Sequence, residues 1–134
     1  MKSASGSFEV KIAPAESSPI GKEGGVGRMS IDKVISGDMV GTTKGEMLTH
    51  TTENTGTMVY VAIETVNATL DDRSGTFVFI HNATMSKTDP NAGSLHVGVV
   101  SGSGTGGLMG ISGTFAINFD SDGKHIYTFN YELP

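Results

Sequence analysis

Glu46, Glu64 and His81 are the residues of this chain whose types and spacing best suit acid–base chemistry. Glu46 shares one face of an alternating run with Leu48 and His50, and a hairpin symmetric about Thr55 would set it opposite Glu64. Two carboxylates in one low-dielectric interior cannot both ionise freely. One would keep a proton and act as acid while the other acts as base. His81, expected on the same face as Glu64, would complete a proton relay or a polar ligand-binding cluster. The competing possibility is that both glutamates face solvent or are neutralised by Arg28, Arg73 or a lysine.

The remaining candidates concern binding. Tyr60, Phe79, Phe115 and Tyr127 fall on faces rich in aromatic residues that either line a pocket or fill a core, and His96 would share an inner face with Gly98 and Val100. His50, His81, His96 and His125 have no pair at the close spacing of zinc sites, so no metal is expected. With no cysteine there is no thiolate metal site, disulfide or cysteine nucleophile. Gly102-Ser103-Gly104-Thr105-Gly106-Gly107 formally matches a dinucleotide-binding glycine pattern. No helix follows to hold a pyrophosphate, however, so it reads as a curved strand and no cofactor is expected.

The elements that must position these residues are strands. Eight alternating or apolar runs stand out: Ser5 to Ala13, Gly27 to Ser36, Met39 to Thr51, Met58 to Leu70, Arg73 to Met85, Ser94 to Leu108, Ile111 to Phe119 and Lys124 to Leu133. Eight hairpin-connected strands suit a closed antiparallel barrel, which leaves no sticky edge. A phrase repeats within them, Leu70-Asp71-Asp72-Arg73-Ser74-Gly75-Thr76-Phe77 returning as Leu108-Met109-Gly110-Ile111-Ser112-Gly113-Thr114-Phe115. Read as a two-residue turn, Asp71-Asp72 sets Val66, Glu64 and Ala62 opposite Phe77, Phe79 and His81. A three-residue Ser121-Asp122-Gly123 loop sets Phe119, Ile117 and Phe115 opposite His125, Tyr127 and Phe129. The second copy of the repeat, turning at Met109-Gly110, would put Gly106, Gly104 and Gly102 opposite Gly113, Phe115 and Ile117, leaving small residues facing large ones and some interior volume. Pro14 to Val26 and Ser86 to Gly93, with its Asp89-Pro90-Asn91, lack tight-turn signatures and read as rim loops.

At 134 residues the chain suits one domain, 1–134. A net charge of -5 with only nine Lys and Arg argues against nucleic acid or an anionic membrane as partner. No apolar leader or long apolar span is present, which reads as a cytoplasmic protein. Val59, Val61 and Ile63 make the second face of their strand apolar too, so that face is expected to meet another subunit in a homo-oligomer.

Gly6-Ser7-Phe8-Glu9-Val10-Lys11, Gly45-Glu46-Met47-Leu48, Leu70 to His81, Gly102 to Phe115 and Gly123-Lys124-His125-Ile126-Tyr127 together resemble a bacterial family of small uncharacterised proteins, domain of unknown function 3224. That family is similar to the allene oxide cyclase-like barrels, which include the plant dirigent proteins. The resemblance implies an eight-stranded antiparallel barrel with meander connections. It implies no activity, because no catalytic motif of the plant proteins maps onto these positions. The sequence expectation is therefore a barrel binding a small hydrophobic or aromatic metabolite, with Glu46, Glu64 and His81 fixing its orientation. The alternatives are a cofactor-independent isomerase or cyclase using the same residues, and a plugged structural barrel acting through its oligomer surface.

Overall fold

In the computed structural model, which describes residues 1–89 and 93–134, the chain is a closed eight-stranded antiparallel barrel in which each strand pairs with its sequence neighbours and the last with the first. The strands are β1 (Lys2–Ala15), β2 (Gly27–Gly37), β3 (Met39–Thr52), β4 (Thr57–Leu70), β5 (Arg73–Ser86), β6 (Ser94–Val99), β7 (Ser112–Phe119) and β8 (His125–Glu132). One short helix, α1 (Pro19–Glu23), interrupts the β1–β2 connection, its N-terminus capped by the Ser18 side chain accepting from Gly21 N. Pro90 and Asn91 of the expected rim loop lie outside the described residues.

Local chemistry explains the register at two hairpins. Asp71 and Asp72 both adopt positive φ, 57° and 58°, as a two-residue turn matched to strand twist requires. Leu70 therefore pairs with Arg73, and Glu64, Ala62 and Val66 face Phe79, His81 and Phe77 as the turn predicts. At the β7–β8 turn Asp120 accepts from Asp122 N and Lys124 N through its side chain, Gly123 takes φ 81°, and Phe119 pairs with His125.

Two expectations fail. The β3–β4 hairpin is not symmetric about Thr55. Its loop has four residues, with Gly56 at φ 68°, so Thr52 pairs with Thr57 and Glu46 with Ile63. That one-residue offset sends Glu46, Leu48 and His50 to the outside of the barrel, because side chains alternate with a period of two. The second failure is the expected long sixth strand, which ends at Val99. Gly102 and Gly106 take φ 83° and 59°, incompatible with a continuing strand, and Gly106–Leu108 forms a single 3₁₀ turn. The Met109-Gly110 turn does form, Ile111 N donating to Leu108 O, but it joins this turn to β7, so the glycines do not face Phe115 and Ile117 across a ladder. The 100–108 connection is held against β5 by Val100 N donating to Val78 O and Thr105 N to Thr76 O, both at 2.8 Å.

The barrel interior is divided into two ends. At the β4–β5 turn and the β8 terminus, Phe77, Phe79, Phe115, Tyr127, Phe129 and Tyr131 are buried and pack as stacked, tilted and edge-on pairs with ring centroids 4.9 to 5.9 Å apart. Tyr127 seals that end by donating to Ser36 O at 2.9 Å and accepting from Met39 N at 3.1 Å. The opposite end, where β1, β3, β5 and β7 finish and β2, β4, β6 and β8 begin, has no such plug among the described residues.

Candidate functional site

The open end is a cup of about 410 Å³. Its wall takes four of the seven methionines, Met29, Met47, Met58 and Met85, which are unbranched and polarisable and so adapt to an apolar guest of varied shape. Phe119 and His125, their rings 4.7 Å apart, stand at the rim. Lys33, Tyr60 and His81 line the cup's inner end.

These three belong to one buried polar network centred on Glu64. Lys33 lies on β2 between Ile31 and Ile35, all three facing inward and buried, while its neighbours Asp32 and Val34 point out or are only part-buried. Its Nζ donates to Glu64 Oε1 at 3.1 Å. His81 Nε2 reaches the same oxygen at 2.7 Å, and Thr43 Oγ1 donates to Oε2 at 2.5 Å. Tyr60 OH lies 3.3 Å from His81 Nδ1. Gly45 pairs with Glu64 across the β3–β4 ladder, and a Cβ there would come within 2.2 Å of Ile63 O. The missing side chain leaves the Glu64 carboxylate room to meet Thr43 and Lys33.

Glu64 is fully buried, Thr43 and His81 are 1 % exposed, and Lys33 is 3 % exposed. Burial by itself would push the Glu64 carboxyl up. The donors from His81, Lys33 and Thr43 prevail and hold it below its ordinary value, so Glu64 is an anion. Burial pulls the Lys33 ammonium below its ordinary value against the opposing pull of Glu64. Burial, and then the Glu64 charge, push the Tyr60 phenol up, so it keeps its proton. Because Glu64 is ionised, His81 Nε2 carries a hydrogen and donates. Its Nδ1 is then the ring nitrogen that pairs with Tyr60 OH. No buried side-chain nitrogen or oxygen among the described residues lacks a partner.

The expected pair of carboxylates does not exist. Glu46 stands on the outer face, where Arg28 Nε donates to it at 3.2 Å and Arg28 Nη2 at 2.5 Å, and Arg28 holds its carboxyl below the ordinary value. Glu64 and His81 do meet, as the β4–β5 turn predicts. Tyr60 faces the cup, but Phe79, Phe115 and Tyr127 belong to the aromatic plug. His96 is exposed: it pairs with Asn82 on the outer face, while its neighbour Val97 takes the inward position opposite His81. His50 also lies outside, its Nδ1 donating to Gly25 O at 2.8 Å, whereas His81 and His125 both line the cup. Sequence reasoning missed Lys33 and Thr43. The signal for Lys33 was its place at period two between Ile31 and Ile35.

Fold and site together define a closed β-barrel that is plugged at one end and cupped at the other, with an ion-paired polar floor. The chain belongs to the family described as protein of unknown function (DUF3224), whose model matches residues 4–131. It is similar to a crystal structure of a protein with unknown function from the same family from Shewanella oneidensis MR-1, with 38% sequence identity, a TM-score of 0.86, and coverage of 100% of this chain and 98% of that one. No curated protein matches. Among the described residues no helix is long and apolar enough to cross a membrane.

Proposed function

We propose that the protein binds a small, mostly apolar molecule in its cup, in the cytoplasm and without a cofactor. The observation that carries this reading is the 410 Å³ void, walled by methionines and ending on an ion-paired network in which, among the described residues, no buried side-chain nitrogen or oxygen is without a partner. At roughly 30 Å³ per liquid water, such a volume would hold about a dozen waters, poorly hydrogen-bonded by an apolar wall and favourable to displace. Resemblance to the allene oxide cyclase-like barrels, a fold-level analogy, adds support for an interior site. An isomerase or cyclase has less support. Glu64 accepts from three donors and lies behind the lining, so it is neither poised to take a substrate proton nor in reach of one.

The test is fluorescence titration with N-phenyl-1-naphthylamine, a neutral apolar fluorophore, on the protein and on an Ala83→Phe variant. Ala83 is 5% exposed and lines the cup, so a phenyl ring there occupies the void. Saturable emission enhancement that the variant abolishes supports the reading. Equal enhancement in both, or none in either, overturns it.

A further inference from the structure

Resting on that reading, we infer that the molecule seated in the cup carries a neutral hydrogen-bond acceptor, such as a ketone, ester or amide carbonyl, on its apolar body, and that Lys33 recognises it. The inference follows from which valences the floor has left. Both oxygens of Glu64 are engaged, Oε1 by Lys33 and His81 and Oε2 by Thr43, so the carboxylate offers a guest nothing. His81 is committed on both ring nitrogens, to Glu64 and to Tyr60. The Tyr60 hydroxyl is paired with His81 Nδ1.

Within this network Lys33 is the group that lines the cup and keeps unspent donors. An ammonium has three N–H groups. One goes to Glu64, and the nitrogen sits 4.9 Å from the Phe8 ring centroid and 5.4 Å from that of Phe115. Aromatic faces attract a cation but leave its N–H groups open to a better acceptor. Lys33 also lines the cup, so a guest carbonyl can reach it.

Charge then selects a neutral acceptor over an anion. Lys33 and Glu64 compensate one another in a buried site. A carboxylate guest would bring a second negative charge close to Glu64 with only one cation between them. A neutral carbonyl accepts the same N–H without upsetting that balance.

The experiment is displacement of N-phenyl-1-naphthylamine at pH 8 by three guests sharing one ring system: naphthalene, 2-acetonaphthone and 2-naphthoate. The expected result is that the ketone displaces at about a tenfold lower concentration than naphthalene, the effect of one charge-assisted hydrogen bond, and that naphthoate is weaker than the ketone. In Lys33→Met the ketone should fall to the level of naphthalene measured on that same variant. Should Lys33→Met fold poorly, the double variant Lys33→Met/Glu64→Gln removes both charges and answers the same question. A ketone no better than naphthalene in the unaltered protein, a naphthoate better than both, or a ketone preference that survives loss of Lys33 would overturn the inference while leaving apolar binding intact. Failure of the fluorophore to bind at all would instead remove the underlying reading, and the inference with it.

Discussion

Replacing Glu64 with Gln changes little in shape and leaves the Lys33 ammonium, its side chain 2% exposed, with no counter-charge. Gln also carries an NH₂ group where Glu64 presents only acceptors. One of the three donors around it, from Lys33, His81 or Thr43, therefore meets another donor unless Thr43 rotates its hydroxyl to accept. Breaking a buried pair by removing one partner costs about 3–5 kcal/mol, a large share of the roughly 5–15 kcal/mol that stabilises a typical domain. Urea denaturation at pH 7 should show that loss as a lowered midpoint with an unchanged slope. Combining Glu64→Gln with Lys33→Met removes both charges, and most of the lost stability should return. The favourable coupling would be about 2 kcal/mol or more in a double-mutant cycle. A Glu64→Gln loss under about 1 kcal/mol, or a double variant as unstable as the sum of the two singles, would refute the reasoning. Either result would mean that Lys33 finds water or another partner when Glu64 is neutral.

Further outcomes follow from the same geometry. The stabilising contribution of Glu64, held below its ordinary value of 4.5, is fully present above that value and drains away as pH falls through the lowered one. Acid denaturation followed by circular dichroism should therefore show a falling limb below about pH 4.5 that Glu64→Gln flattens. Glu46→Gln removes only an exposed pair with Arg28 and should leave the urea midpoint unchanged. Asp72→Gly relieves a non-glycine residue held at φ 58° and should raise stability by about 0.5–1 kcal/mol in thermal melts. Gly75→Ala would place a Cβ 2.0 Å from Thr105 O, forcing the 100–108 connection off β5 at a cost of about 1–3 kcal/mol by the same assay. On the outer face Leu48, Val61, Ile63 and Ile80 are 49 to 64% exposed. We propose that a second copy covers this sheet face, so native mass spectrometry should give a dimer that Ile63→Glu returns to monomer, whereas a monomeric unaltered protein would reject it.

Features under local chemical control are legible in the residues alone. The period-two alternation located all eight strands, most to within a few residues, since a strand's faces are written in its own residues. The Asp71-Asp72 and Ser121-Asp122-Gly123 turns specified their registers, because positive-φ residues at a tight turn leave few ways to close it. Glu64 thus reached the interior beside His81 on turn chemistry alone. Tertiary structure decided the rest. A loop one residue different in symmetry sent Glu46 outward, and in a sheet that slip reverses every side chain beyond it. The Gly102 to Gly107 run could have been strand or connection on local grounds, and the close approach of Thr105 to Gly75 on β5 made it a connection. Lys33 is the clearest case. Its sequence neighbours show that it faces inward, but nothing local says which carboxylate will neutralise it. The partner is Glu64, 31 residues away on β4, brought within 3.1 Å only because β2, β3 and β4 wrap around one narrow interior. Closure of β8 on β1, a contact between the two ends of the chain, likewise completes the interior in which Phe129 stacks on Phe77 and meets Phe79 edge-on.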